Sequence, residues 1–418
     1  MPAVHSLWWL NGFSEVTVIY RVALRILGLI PAFVRRPVLN AAMSVILKNR
    51  INMRTLRTGP VTVAGFLRSS IGIGEAARLT LFAFRELGFD TRYADLSQFF
   101  PWRENVAADL GKESVPDEGG QLIVHLNPPE LLYGLSVLGH KAVRHKRIIG
   151  YWVWELQNIP KNWIDAFQYV DEVWVPTRFV ANAVSAHTSV PVRVVPYPVR
   201  RGISSARGRK DFGLSEDAVI FLAMCDARSG LVRKNPLGAI NAFQLAFGSD
   251  PRFLLVAKIS EEGAAPGLMA ELERATKGAS NIKFLHQKLQ REDTVALMGC
   301  ADIIISLHRS EGFGLVLAEA MLQGKPVVAT GWSGNVDFMN AGNSALIDYQ
   351  LVPVRDKQGI YLDSDQFWAE PVLDQATDWL RNLALNNEMR KQLGLAAMRD
   401  AEKFFGLESF KEAVGNIT

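Results

Sequence analysis

From position 61 onward, short apolar runs of strand length alternate with longer amphipathic stretches of helical period. In the first half the strand-like runs are Val61–Leu67, Thr91–Leu96, Leu122–Leu126, Arg147–Trp154, Glu172–Pro176 and Val192–Pro196. Helices are predicted between them at Glu75–Leu87, Pro129–Leu138, Lys161–Tyr169 and Arg178–Ala186. A Gly/Ser/Arg/Lys-rich stretch, Arg200 to Lys210, then reads as a linker. The second half repeats the rhythm, with strands at Ala218–Met224, Phe253–Ile259, Ile282–His286, Ile303–Leu307 and Pro326–Thr330. Its helices are predicted at Pro236–Phe247, Leu268–Ala275, Arg291–Met298 and Leu315–Leu322, followed by a helical tail, Asp374–Leu385 and Glu388–Phe405. Strands alternating with helices specify the α/β class, here two doubly wound Rossmann-like domains facing a central cleft. The expected boundaries are 61–200 and 201–400, with 401–418 a last helix.

The first 60 residues break this rhythm. Apolar runs at Val16–Val34 and Val38–Leu47 are interrupted by Arg21, Arg25 and Pro31, short of the ~18 uninterrupted apolar residues of a spanning helix. Eight basic side chains stand there against one acid, Glu15, a net of +7; the whole chain carries +4, so the rest carries −3. Arg21 and Arg25 share one helical face, and Trp8 and Trp9 precede them. Such a basic amphipathic leader suits the headgroup layer of an anionic membrane. A helical hairpin packed on the body, or an arm at a dimer interface, is the alternative. The leader lacks the charge order of a secretory signal, since its first basic residue is Arg21. The body gives no nucleic-acid footprint on this count. Cys225 and Cys300 are too few for a disulfide framework, lack metal-ligand spacing and read as buried thiols of a reducing compartment.

Chemistry concentrates in Ser306-Leu-His-Arg-Ser-Glu-Gly-Phe-Gly-Leu-Val-Leu-Ala-Glu319. A strand, a glycine turn (Gly312, Gly314) and a helix start form an anion site, because the first N–H groups of a helix are unpaired and its dipole favours negative charge. Glu311 and Glu319 would repel a phosphate but can accept hydrogen bonds from hydroxyls. A ligand with a central diphosphate and hydroxylated groups on either side fits, as a sugar nucleotide does. This Glu-x7-Glu segment with Gly312-Phe313-Gly314 resembles the EX7E signature of family 4 glycosyltransferases, retaining enzymes of the GT-B fold. The resemblance spans residues 61 to about 418 in layout and is motif-specific mainly from 215 to 340. It implies that Glu319 binds the nucleotide ribose and that Glu311, with the backbone from Gly312 to Leu315, contacts the donor sugar.

Asp226 to Pro236 follows the first strand of the second half and brings Arg228, Arg233 and Lys234 to a strand C-terminus. Its Arg-Lys-Asn-Pro step is similar to family members in which the lysine binds the donor diphosphate and an arginine six residues earlier assists, the spacing of Lys234 and Arg228. Lys258, a charge near the end of an apolar strand, either reaches the nucleotide or snorkels at the sheet rim. Gly331-Trp-Ser-Gly-Asn335 resembles the family's loop beside the donor. Gly72-x-Gly74-x-x-Ala77 after the first strand matches a loose dinucleotide fingerprint, with Asp95 about where a ribose-binding acid belongs. The resemblance explains the same glycines as a loop near the donor phosphates and acceptor. By the same resemblance His125 lies against the transferred sugar. Glu155 is a candidate to orient an acceptor hydroxyl, and Trp154 either stacks on a sugar ring or packs in a core. Asp363-Ser-Asp365, in a polar loop, is a helix cap rather than a metal site.

The expectation is a retaining glycosyltransferase with Glu311, His125 and Lys234 as catalytic residues and no cofactor or metal. It moves a sugar from a nucleoside diphosphate to a glycan or lipid-linked saccharide at the cytoplasmic face of the cell membrane. The alternatives are a sugar-nucleotide epimerase of the same fold, a nicotinamide-dependent oxidoreductase using Gly72 and Gly74, and a silent nucleotide-sugar-binding protein.

Overall fold

The computed structural model describes residues 59–100, 109–111, 113–115, 119–361, 365–415 and 417. The basic leader, except its last two residues, and Asp363 and Ser364 lie outside them. By contacts the chain forms two compact units. Of the described residues, the first takes in those of 59–152 and 162–174 with Ile417, and the second those of 153–161 and 175–415. The stretch 175–200, read above as part of the first domain, is thus grouped with the second unit.

The first six-stranded sheet runs β2-β1-β3-β4-β5-β6. Its strands are β1 (Val61–Gly65), β2 (Thr91–Asp95), β3 (Gln121–His125), β4 (Arg147–Tyr151), β5 (Glu172–Val175) and β6 (Val192–Val194). The β1/β2, β1/β3, β3/β4 and β4/β5 pairs are parallel. Their buried Val, Ile and Leu runs suit strands covered on both faces. The chain passes from β1 to β2 on one side and returns to β3 on the other. The order therefore reverses at the β1/β3 pair, where Gly65 stands opposite His125.

The second sheet runs β12-β11-β10-β7-β8-β9. It comprises β7 (Val219–Asp226), β8 (Phe253–Ser260), β9 (Ile282–Leu285), β10 (Ile303–Ser306), β11 (Val327–Thr330) and β12 (Ala345–Ile347), again parallel. Its core of Phe221, Phe243, Leu255, Ile305, Val328 and Leu380 joins the sheet to helices Pro236–Phe247 and Leu373–Leu385. The order reverses between β7 and β10, so the loops leaving these two neighbours diverge at their carboxyl ends. Open α/β sheets bind ligands in that kind of crevice.

Several elements differ from the sequence reading. The strand expected to run to Trp154 ends at Tyr151. Its apolar continuation serves two cores: Trp152 packs on Trp163 and Phe167, whereas Trp154 packs on Tyr361. The helix after β1 begins at Gly72, not Glu75, so Gly72 and Gly74 lie in its first turn. A one-turn helix, Leu231–Lys234, falls inside the loop after β7. An antiparallel hairpin, β13 (Tyr349–Pro353) with β14 (Phe367–Pro371), carries no alternation clear enough to read. Cys225 and Cys300 are free and half-buried, not fully buried.

Candidate active site

The loop after β7 is bent by its own acid. Asp226 accepts from the Arg228 N–H at 2.9 Å and pairs with its guanidinium at 2.7 Å. Arg228 also lies 3.9 Å from Glu261, and these partners raise the pKa of its guanidinium. Gly230, at φ 89°, starts the one-turn helix, and Asn235, at φ 51°, ends it. Asparagine tolerates that left-handed geometry, and its side chain does two further jobs. Oδ1 caps helix Pro236–Phe247 by accepting from the Gly238 N–H at 3.1 Å, and Nδ2 donates to the Leu307 carbonyl at 2.8 Å. The loops after β7 and β10 are thereby joined.

On the β10 side stands Glu311, buried beside two cations. Its Oε1 lies 2.5 Å from Lys234 Nζ, and its Oε2 lies 3.3 Å from an Arg233 nitrogen. Burial alone would raise the Glu311 pKa, but Lys234, Arg233 and His308 together outweigh it and bring the carboxyl down to about 2. Arg233 is 2% exposed. It donates to the carbonyls of Ser310 at 2.6 Å and Ser229 at 2.7 Å, and lies 3.8 Å from Glu155. Lys234 is the more accessible cation, at 20% side-chain exposure.

Glycine is required where loops touch. A Cβ on Gly334 would lie 2.3 Å from the Gly312 carbonyl oxygen, and one on Gly312 would lie 2.5 Å from Val153 and 2.9 Å from the Trp154 carbonyl oxygen. The loop after β11 reaches in further: Ser333 Oγ accepts from the Glu311 N–H, and the Gly334 N–H donates to the Glu311 carbonyl, both at 2.8 Å. Ser333 holds φ 76° to do this, a conformation a non-glycine residue rarely adopts. Gly314, at φ 100°, caps helix Leu315–Leu322, whose opening N–H groups have no partner within the helix.

Glu319 lies in the second turn of that helix, too far along to act on its dipole as a first-turn acid, and pairs with Arg291 at 2.7 Å. Lys258 is buried at the end of β8 and bonds Ser260; burial lowers its pKa, partly offset by Asp226. Glu155 faces Arg233, and its backbone carbonyl accepts a hydrogen bond from the Ser310 hydroxyl. The Trp154 indole donates to the Asn158 carbonyl at 2.7 Å and rests on Tyr361. Arg228, Lys234, Lys258, Glu155, Trp154, Glu311 to Leu315 and Glu319 all belong to the second unit. The sequence groups Arg233 with two other cations able to neutralise a diphosphate, but does not single it out as a site residue. Ser333 belongs to the Gly331–Asn335 loop singled out in the sequence, though no residue there had a role; Arg291 and Tyr361 carried no signal.

In the first unit, His125 ends β3 at the order reversal, 1% exposed, with its ring 4.4 Å from that of Tyr151. Neither ring nitrogen has a hydrogen-bond partner among the described residues, and burial lowers its pKa to about 3, so it is neutral at pH 7. Gly74 has a packing reason: a Cβ there would lie 2.5 Å from the Phe66 carbonyl oxygen. Asp95 accepts from the Arg68 and Ser97 N–H groups and from the Ser97 hydroxyl, which commits Oδ1 to its own loop.

Two cations and two carboxylates thus meet at the order reversal of the second sheet, beside a helix N-terminus. The partly exposed Lys234 ammonium and the helix N-terminus can meet an anion there, and a carboxylate can accept hydrogen bonds from hydroxyls. Residues 229–362 match the family model described as glycosyl transferases group 1. No curated protein matches the chain. S. aureus TarM, solved with UDP, is similar at 14% identity and TM-score 0.52 over 72% of this chain; the match spans 56% of TarM, about half its length. Anabaena HepE, solved with UDP and glucose, is similar at 12% identity and TM-score 0.58, over 85% of this chain and 98% of HepE. A Rickettsia africae glycosyltransferase is similar at 14% identity and TM-score 0.58, over 86% of this chain and all of its own. At such identities the likeness shows the fold, which is GT-B with two Rossmann-like units.

Proposed function

We propose that this chain is a retaining glycosyltransferase, family 4-like, moving a hexose from a nucleoside diphosphate sugar to a glycan or lipid-linked saccharide. The observation that carries the reading is the Lys234–Glu311 pair, 2.5 Å apart on the diverging loops of β7 and β10 and backed by buried Arg233. The group 1 match covers this site, and two of the similar structures hold UDP. In this reading Lys234 and Arg228 bind the diphosphate, and the opening N–H groups of helix Leu315–Leu322 share its charge. Glu319 takes the ribose. Glu311 and the Gly312–Leu315 backbone hold the sugar, and Lys258 lies toward the nucleotide. His125 is assigned to the transferred sugar and Gly72 and Gly74 to the donor phosphates and acceptor, with Glu155 and Trp154 toward the acceptor.

The acceptor oxygen attacks C1 on the face the diphosphate leaves. The C1–O bond to phosphate breaks as the new C1–O bond forms, and a phosphate oxygen takes the acceptor proton. Glu311, ionised and held by two cations, stabilises charge and is not a nucleophile. No metal is assigned, because cationic side chains and a helix terminus supply the positive charge. The basic leader is proposed to bring the enzyme to the inner face of the cell membrane. Among the described residues no helix is long and apolar enough to cross one.

Without acceptor, slow donor hydrolysis followed by NMR reads the first-formed anomer. Retention supports the mechanism, and inversion refutes it. An epimerase of the same fold would release an epimerised sugar instead. The dinucleotide alternative has less support, since Asp95 is committed to its own loop and Gly74 to packing.

A further inference from the structure

The helix that presents Arg233 and Lys234 is only four residues long, and one turn is not stable on its own. Its capping residue Gly230 supplies no side chain. The missing partners come from elsewhere in the second unit. Gln358, in the loop joining β13 to β14, accepts from the Leu231 N–H through Oε1 at 2.5 Å and donates to the Ala227 carbonyl through Nε2 at 2.9 Å. At the other end Arg309 donates to the Val232 carbonyl at 2.5 Å, and its backbone N–H donates to the Arg233 carbonyl at 2.7 Å. Arg309 is itself tied to β14, through Glu370 at 2.6 Å and through the Ala369 N–H at 2.8 Å. The hairpin loop is stiffened by Asp356, which accepts from the N–H groups of Gln358, Ile360 and Tyr361.

We infer that the β13–β14 hairpin is a clamp on the cationic loop, and that Gln358 is a positioning residue which sets Lys234 for an anionic diphosphate ligand. This rests on the site proposed above. Gln358 touches no reacting atom in this account; it acts through the backbone of residues 227–231. The two amide bonds share one side chain, so losing both frees the start of the short helix while Arg309 still holds its end.

The test compares wild type, Gln358→Ala and Gln358→Glu by amide hydrogen exchange over residues 227–235 and by titration with UDP, GDP, ADP and dTDP. Gln358→Ala is expected to exchange faster there and to bind the nucleotide about tenfold more weakly, with Tm nearly unchanged. Gln358→Glu keeps the acceptor for Leu231 and is expected to recover part of both. Unchanged exchange in Gln358→Ala would overturn the clamp. Faster exchange with wild-type affinity would overturn the positioning role. If wild type binds none of the four nucleotides, the proposed function fails by itself, and the exchange result alone decides whether the hairpin holds the loop.

Discussion

A carboxyl buried against two cations is ionised far below its ordinary range, and the pH dependence of stability should report this. Glu311, lowered from 4.5 to about 2, contributes stability fully above pH 4.5 and loses it as pH falls toward 2. Glu311→Gln should therefore flatten the decline of Tm between those values. His125 has the same sign over a different window. Lowered from 6.5 to about 3 by burial, it contributes stability above pH 6.5 that fades as pH falls toward 3. His125→Asn should remove that part of the acid sensitivity, which denaturant titration at pH 7 and pH 4 would measure. Arg233→Ala leaves Glu311 short of a buried partner and should cost about 3–5 kcal/mol, well above Lys234→Ala, whose ammonium is partly exposed. Glu311, Glu319, Arg228 and Lys234 stand out in the sequence because their spacing resembles that of family 4 glycosyltransferases, and the structure sets Glu311 beside Lys234. Arg233 does not stand out. Neighbours on a helical turn point about 100° apart, so of two adjacent cations one goes inward and one outward, and only packing tells which.

Among the elements, the loops are set by close backbone approaches. Gly334→Ala should disturb the Glu311–Gly314 turn and weaken nucleotide binding, because its Cβ would meet backbone at 2.3 Å. Gly331→Ala, with 3.3 Å to the nearest atom, should be much milder when both are titrated with UDP. The parallel strands and their helices were legible because each is a buried apolar run bounded by turn residues. The β13–β14 hairpin was not, for β13 is polar or proline-bearing and largely exposed, and its partner lies some fifteen residues away. The one-turn helix Leu231–Lys234 lacks a period of its own, and its caps come from Gln358 and Arg309, far along the chain.

Over the whole molecule, the alternation of strands and helices announced two doubly wound sheets, and both are present. The strand orders, and so the points where each sheet reverses, come from the structure, and candidate residues stand at them: His125 at β1/β3, and Lys234 with Glu311 at β7/β10. Less legible was the grouping of 153–161 and 175–200 with the second unit, since an apolar run does not declare which core it serves. The central claim is that the β7/β10 site takes a nucleoside diphosphate sugar. It is tested most directly by thermal shift with UDP-, GDP-, ADP- and dTDP-sugars and nicotinamide cofactors, on wild type, Lys234→Ala and Glu319→Ala. Ligand binding raises Tm in proportion to the logarithm of concentration over Kd. The account predicts a rise with one sugar nucleotide in wild type that is lost or reduced in both variants. A rise only with a nicotinamide cofactor, or one that both variants retain in full, would contradict it.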